Sequence, residues 1–110
     1  MLNQVVCVGR IATMEWLKDI DESDRDAVNL TLAIPRTYKN TEGEYDTDFI
    51  PVILYGPIAS NTTEYCKKGD IVGIKGRLAK EENQLALIAE KVTFLSSKSS
   101  NSSDDEQEGE

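Results

Sequence analysis

The stretch VNLTLAIPRTYKNTEGEYDTDFIPVILY, residues 28–55, decides the fold of this chain. In its first part large apolar residues recur at every second position from Val28 to Ile34, which is the period of a strand with one buried face. The residues from Asn40 to Gly43 are typical of a turn. The return run from Phe49 to Tyr55 is apolar at both parities, so one of its two faces cannot belong to the core. The stretch predicts two long strands joined by a turn.

The second face of the return strand combines aromatic rings with cations. Phe49, Ile53 and Tyr55 share one parity, and the partner strand brings more such side chains to the same hairpin. Flat rings beside cations can stack unpaired bases and neutralise their phosphates. The same rings could instead line a dry dimer interface, so the pattern alone leaves both interpretations open. The side chains that the partner strand adds are Arg36, Tyr38 and Lys39.

Three more strands and one helix are predicted around this hairpin. The first strand is dense in β-branched residues, and Gly9 is expected at a bulge or a bend. In the fourth strand Lys75 and Arg77 share the outward parity, while Leu78 is expected on the core side. A polar, acidic connection is expected over residues 14–27. The predicted elements are strands at residues 2–11, 71–78 and about 85–95, a helix at residues 57–68, and a short connection at residues 79–84.

Several single side chains carry their own expectations. Trp16 is expected to pack against the fold rather than to stack a base, because six acids lie close to it in sequence. Tyr65 is expected on the buried face of the helix, and Lys67 and Lys68 in its last turn, before a glycine cap. Pro35 cannot donate to a ladder, so the second strand should be irregular there. The four acids between residues 42 and 48 are expected at the hairpin tip, away from phosphates.

Four blocks of sequence, in order, resemble the bacterial and phage single-stranded DNA-binding protein family. They are MLNQVVCVGRI at residues 1–11, VNLTLAIPRTYKN at 28–40, DFIPVILYG at 48–56 and EYCKKGDIVGIKGRL at 64–78. The resemblance covers about residues 1–95. It implies an all-β protein with the OB-fold, a five-stranded Greek-key barrel with one short helix between strands 3 and 4. The domain is expected at residues 1–97 and a disordered tail, rich in serine and acids, at 98–110.

This resemblance implies sequence-independent binding and protection of single-stranded DNA in replication, recombination or repair. It also implies a homo-oligomer, as a tetramer or a dimer, in which first strands pair around residues 3–9. Arg10 follows Gly9 at a position that lies near the DNA in the family, although it could also be a solvated arginine at a strand end. Together with the hairpin, the candidate DNA-binding residues are Arg10, Arg36, Tyr38, Lys39, Phe49, Tyr55, Lys75 and Arg77.

Two segments of the chain depart from the pattern of the family. The connection at residues 79–84 is short and has no ring, whereas better-studied members have a long hairpin there. Family members often end in an acidic tail with a terminal apolar tripeptide that docks partner enzymes, and the tail here keeps the acids but lacks the apolar end. The contact surface should therefore be smaller, and docking through the tail is left open.

Composition sets limits on the other functions. The net charge of −8 falls in two segments, residues 15–26 and 98–110, each at −4, so the rest of the chain is neutral. With no histidine, no nucleophile or phosphate-loop motif and no clustered ligands, we expect no enzyme, no metal and no cofactor. Cys7 and Cys66 are expected as free thiols. We expect a cytoplasmic, nucleoid-associated protein. The alternative is an OB-fold adaptor of a replication or mobile-element complex, with weak or no DNA binding.

Overall fold

The chain forms a closed five-stranded barrel. A computed structural model describes residues 1–17, 27–81 and 83–97. Its elements are β1 (Val5–Leu17), β2 (Ala27–Lys39), β3 (Tyr45–Tyr55), α1 (Gly56–Tyr65), β4 (Ile71–Glu81) and β5 (Gln84–Ser96). The strand order is β1-β2-β3-β5-β4, with β5 parallel to β3 and the other neighbours antiparallel. The prediction of an all-β Greek-key barrel with one helix between the third and fourth strands is confirmed.

One face of each strand fills the barrel. The alternation read from the second strand holds, since Val28, Leu30 and Leu32 are fully buried and their partners on β3 are Leu54, Val52 and Ile50. Burying a side chain of this size contributes about 1.5–3 kcal/mol. The largest side chains of the core are Ile11, Val28, Leu30, Leu32, Val52, Leu54, Val72, Ile74 and Leu87.

Two glycines allow strands to approach closely. A Cβ atom on Gly9 would lie 2.7 Å from the carbonyl oxygen of Ala33, and one on Gly76 would overlap the carbonyl oxygen of Ile88. The register of β4 against β5 shifts at Gly76, so a bulge lies there. The bulge expected at Gly9 is instead three residues later, since the register of β1 against β2 shifts between Ile11 and Thr13.

The first strand is longer than predicted. It continues through residues 14–17, where a polar connection was expected, because Met14 and Trp16 alternate with polar residues and pair with Leu30 and Val28. Trp16 therefore has the parity that faces the barrel, but its side chain is 44% exposed, so it packs less than predicted. The acidic remainder of that connection, residues 18–26, and the predicted tail, residues 98–110, lie outside the described residues.

The helix is shorter than predicted. It starts beside Pro57, as expected, but it ends at Tyr65. Lys67 and Lys68 follow the helix in a turn that the side chain of Asp70 holds, by accepting a hydrogen bond of 2.9 Å from the N–H of Lys67. The left-handed glycine, Gly69 with φ 98°, belongs to this turn and not to a helix cap. Residues 67–69 form a turn of their own, so the two lysines do not lie in the last turn of the helix.

Tyr65 and Leu78 are both exposed, contrary to the prediction that each faces the core. Tyr65 is the last residue of the helix and is 72% exposed. Leu78 is 41% exposed because β4 runs on beyond the barrel, where residues 77–81 pair with β5 but with no other described strand. The side chain of Asn3 lies against this edge: its Nδ2 donates to the carbonyl of Leu78, and its Oδ1 accepts from the N–H of Leu78, both at 2.9 Å.

The two cysteines are free thiols, with Cys66 buried and Cys7 half-buried. Burial raises the pKa of the Cys66 thiol, and the nearby Asp70 carboxylate raises it further. Across residues 1–17, 27–81 and 83–97, no helix combines the length and the hydropathy that a membrane crossing requires.

Candidate nucleic-acid interface

The outward face of β3 carries the predicted rings. Phe49, Ile53 and Tyr55 share the parity that points away from the barrel, and Phe49 is 63% exposed. The β2 residues directly opposite the two rings are Ala33 and Ala27, so from that side only a methyl group stands next to each ring. The rings are six residues apart, which spans about 20 Å along a strand. This distance leaves room for several unstacked bases between them.

Arg10 lies in the same row as Phe49. It pairs with Ala33 of β2, and Ala33 pairs with Phe49 of β3, so all three point outward. Neighbouring strands are about 4.8 Å apart, which puts the Arg10 backbone about 10 Å from that of Phe49. Arg10 is exposed, and its Nη1 donates a 2.7 Å hydrogen bond to the carbonyl of Gly69. Because a guanidinium has five N–H donors, this anchor leaves others for an anion.

Arg77 approaches β3 from the other side. It pairs with Ile88 of β5, and Ile88 pairs with Ile53 of β3. Arg77 is exposed and lies two strands from Ile53, at about the same separation as Arg10 from Phe49. The two arginines therefore flank the ring-bearing strand on opposite sides.

An acid lies on the same outward face. Glu15 of β1 pairs with Asn29, and Asn29 pairs with Ile53, so Glu15 and Arg77 occupy the two ends of one row. Both side chains are exposed. A carboxylate repels a phosphate and a guanidinium attracts it. The row is therefore electrostatically asymmetric, with its favourable side for phosphate over β5 and β4.

Lys75 belongs to a different row. It pairs with Val6 of β1 on one side and with Lys91 of β5 on the other. Two ammonium groups directly opposite each other repel, and an anion between them relieves that repulsion. The described pairing of β5 with β3 stops at Ile88, so this row has no partner on the ring-bearing strand. The structure thus brings Arg77 to the rings and leaves Lys75 with Val6 and Lys91.

The remaining predicted residues lie on the hairpin between β2 and β3. As predicted from Pro35, the ladder is irregular there, because the register shifts between Pro35 and Lys39. Tyr38 lies in this irregular segment and is exposed. Lys39 pairs with Tyr45, and its Nζ lies 5.8 Å from the centre of the Tyr45 ring, within the range of a cation–π contact.

Arg36 is held by two carboxylates. Its Nε and Nη2 donate to Asp48 at 3.1 and 2.9 Å, and its Nη1 lies 4.0 Å from Asp46. This fork-shaped contact lowers the pKa of the Asp48 carboxyl, chiefly through the hydrogen bonds from Arg36. The same contact raises the pKa of Arg36 further above its already high value. Both side chains remain solvent-exposed.

The prediction that all four hairpin acids lie at the tip is wrong for two of them. The tip spans residues 40–44, where the Asn40 Oδ1 accepts hydrogen bonds from the N–H groups of Glu42 and Glu44 at 2.8 and 2.9 Å. Asp46 and Asp48 instead lie inside β3, because that strand begins at Tyr45. In the described part of the chain, no three cysteines or acids come together as a metal site.

Sequence reasoning missed Tyr45, Lys91 and the partner acids of Arg36. Tyr45 could have been found, since it has the parity of Phe49 and Tyr55 and needed only an earlier start of the strand. Lys91 could not, because the bulge in the β4–β5 ladder changes the parity of β5 just before it. The ion pair of Arg36 depends on the irregular segment, whose geometry a sequence does not specify.

The barrel thus carries rings on the outward face of β3 and an arginine on each side of them. The model of the Single-strand binding protein family matches residues 2–95. The chain belongs to that family.

Relatives in the single-strand binding protein family are similar over most of their length. The chain is 34% identical over 106 residues to Single-stranded DNA-binding protein 1 of Clostridium acetobutylicum, covering 88% of this chain and 96% of the relative. It is 37% identical over 78 residues to Single-stranded DNA-binding protein B of Bacillus subtilis, covering 71% and 68%. The resemblance drawn from the four sequence blocks is thereby confirmed.

Solved structures support the fold of the family. The SSB domain of a Synechococcus sp. protein superposes with a TM-score of 0.67 at 15% identity, covering 84% of this chain and 96% of that one. The protein PriB of Ralstonia solanacearum gives a TM-score of 0.68 at 16% identity, covering 86% and 98%. At these identities the likeness concerns the barrel alone.

Proposed function

We propose that this protein binds single-stranded DNA without reading its sequence, through base stacking on the outward face of β3. One observation carries the proposal: Phe49 and Tyr55 share that face, and Arg10 and Arg77 flank it in register. Every base has a π-face, so each stacked base adds about 1–3 kcal/mol whatever its identity. Membership of the single-strand binding protein family supports the same function.

The arginines and the acid give the bound strand an orientation. Arg77 attracts phosphates on the β4 side of the rings, whereas Glu15 repels them at the opposite end of the row. The sugar-phosphate backbone is therefore expected over β5 and β4, with the bases turned toward β3 and β2. Arg10 extends the cationic path beside Phe49, and Tyr38 and Lys39 extend it onto the hairpin.

We further propose that the chain acts as a homotetramer, or at least as a dimer, in which the first strands pair. Residues 5–9 of β1 pair with β4 on one edge, and no described strand pairs with their other edge. Their outward side chains Val6 and Val8 are 68% and 53% exposed. An unpaired edge beside exposed valines favours a second copy as the occupant, because strand pairing and apolar burial are gained together. In such an assembly, Lys75 and Lys91 border the contact and can hold phosphates that pass between subunits.

Binding, rather than catalysis, is the proposed activity, and its setting is DNA replication, recombination or repair in the cytoplasm. Single strands are exposed in all of these processes, and a sequence-independent binder protects them without selecting among them. Residues 98–110 remain a proposed acidic tail for contact with replication or repair proteins.

Fluorescence titration with oligo(dT) at two salt concentrations tests the function. The parent is expected to bind, and the double variant Phe49→Ala/Tyr55→Ala is expected to bind roughly tenfold or more weakly, since it loses stacked bases. Tyr65→Ala is the matched control, because it removes an exposed ring at the end of α1 and should bind like the parent. A folded double variant with parental affinity would show that the rings are not the site. A parent that does not bind would favour the adaptor.

A further inference from the structure

The hairpin between β2 and β3 offers rings to DNA but few available cations. Between residues 36 and 48 two cations face four acids, a net charge of −2. Lys39 lies over the ring of Tyr45, and Arg36 is bonded to Asp48. The hairpin is therefore aromatic and acidic. Arg10 and Arg77, which flank β3, keep N–H donors for an anion.

The contact between Arg36 and Asp48 uses the edge of the guanidinium that binds phosphate best. A phosphate or a carboxylate takes two parallel N–H donors from one edge of an arginine. Asp48 takes the edge formed by Nε and Nη2, and Asp46 lies 4.0 Å from Nη1 on the other side. A phosphate can reach this edge only by displacing a carboxylate of the protein itself.

We propose that Asp48 limits the affinity for single-stranded DNA by occupying the phosphate-binding edge of Arg36. The inference rests on the proposed function and assigns Asp48 a role in it. While the pair is closed, the hairpin stacks bases on Tyr38 and makes no phosphate contact through Arg36. Affinity at the hairpin is thus set by competition between an internal carboxylate and the phosphates of the DNA.

Competition of this kind has a signature in the salt dependence. A phosphate that binds a free arginine releases its condensed cation, which adds about 0.7 to the slope of log K against log salt for a single strand. While Arg36 stays bonded to Asp48, it neutralises no phosphate and releases no condensed cation. The parental slope should therefore contain almost nothing from Arg36.

The pair could instead act as a strut that fixes the irregular segment from Pro35 to Lys39 and so positions Tyr38. The two roles predict opposite results when the charge of residue 48 is removed. A strut predicts weaker binding with an unchanged salt slope, because a ring is lost. A competitor predicts tighter binding with a steeper slope, because a phosphate contact is gained.

Asp48→Asn is the decisive variant, since the amide oxygen still accepts one hydrogen bond from Arg36 while the charge is gone. With oligo(dT) we expect tighter binding at 50 mM salt and a slope about 0.7 steeper, so that the advantage over the parent falls roughly 2.5-fold by 200 mM. The double variant Arg36→Gln/Asp48→Asn should return to the parental slope. Glu42→Gln is the matched control, because it removes the same charge at the hairpin tip and should leave the slope unchanged.

Several outcomes overturn the inference. The inference is wrong if Asp48→Asn has the parental salt slope or binds oligo(dT) more weakly than the parent. It is also wrong if Glu42→Gln increases the affinity and the slope as much as Asp48→Asn does. If Asp48→Asn does not fold, Asp48→Ser removes the same charge and provides the same test, with the same increase in slope expected and no increase counting against the role. A parent that does not bind oligo(dT) contradicts the proposed function itself, which is a separate result.

Discussion

Arg10 and Phe49 lie in one row across three strands, and both pair with Ala33 on the strand between them. Ala33, whose side chain is only a methyl group, lies between the backbones of Arg10 and Phe49 in this row. A base stacked on Phe49 can therefore extend over β2 while its phosphate remains within reach of Arg10. The small side chain of Ala33 therefore belongs to the proposed binding surface together with Arg10 and Phe49.

Ala33→Leu should block this row. A branched side chain at residue 33 would stand against the ring of Phe49, so we expect oligo(dT) binding to weaken about tenfold, the loss of roughly one stacked base. Asn61→Leu, which adds an exposed leucine on α1 and outside this row, serves as the control. Parental affinity in a folded Ala33→Leu protein would mean that DNA does not cross this row.

Arg77→Ala should flatten the salt dependence of binding. Removing one phosphate contact to a single strand lowers the slope of log K against log salt by about 0.7. Titrations at four salt concentrations measure the slope, with Lys80→Ala, an exposed cation on the same strand, for comparison. Equal slopes for Arg77→Ala and the parent would place the phosphates elsewhere.

Gly76→Ala should destabilise the barrel, whereas Gly73→Ala should not. A Cβ on Gly76 would overlap the backbone carbonyl of Ile88, which cannot rotate away, but a Cβ on Gly73 would find Leu95 and Val8 at 3.8 Å. Overpacking of this kind costs about 1–3 kcal/mol. Urea unfolding of both variants measures the difference in the free energy of unfolding. Equal stabilities would contradict the close approach of β4 and β5.

Asp48 should titrate below the ordinary carboxyl pKa of 3.8, because Arg36 stabilises its charged form. A lowered folded-state pKa contributes stability above the unfolded value, and this contribution is lost as the pH falls through the folded value. Carboxyl chemical shifts measured by NMR during an acid titration follow the group. Arg36→Gln should move the pKa back toward 3.8, and no movement would show that the pair is not formed in solution.

Val6→Glu/Val8→Glu should disrupt assembly and leave the barrel folded. Both side chains point away from the core, so the change adds charge only to the exposed side of β1. Sedimentation velocity should show the parent as a dimer or tetramer and the variant as a smaller species. Thr13→Glu, outward on the part of β1 that pairs with β2, is the control. A monomeric parent at micromolar concentration would contradict the assembly.

The barrel could be predicted from sequence because its strands follow a simple alternation. The alternation from Val28 to Leu32 indicates which face of β2 is buried, and the regular ladder to β3 gives the residues from Phe49 to Tyr55 the matching orientation. The rings and Arg77 were correctly assigned to the outward face for the same reason.

Side chains were assigned to the wrong surroundings where a strand extends beyond the barrel or where a bulge changes its alternation. Leu78 has the parity of the core, but no other strand covers it, because β4 continues past the last residue paired with β1. Lys75 was grouped with Arg77 because they are two residues apart on one face. Because of the bulge beside Gly76, Lys75 lies opposite Lys91 whereas Arg77 lies opposite Ile88.

The hydrogen bonds between Asn3 and Leu78 join residues 75 positions apart in the chain. Together with the ladder from residues 5–10 to residues 71–76, they close the barrel between its first and fourth strands. Contacts so distant in sequence carry a large loop-closure entropy and make β-barrels slow to fold. During synthesis, the first strand leaves the ribosome well before β4 exists to pair with it. For that interval both edges of residues 5–9 are open to pairing with another nascent chain, through the same strand for which subunit pairing is proposed.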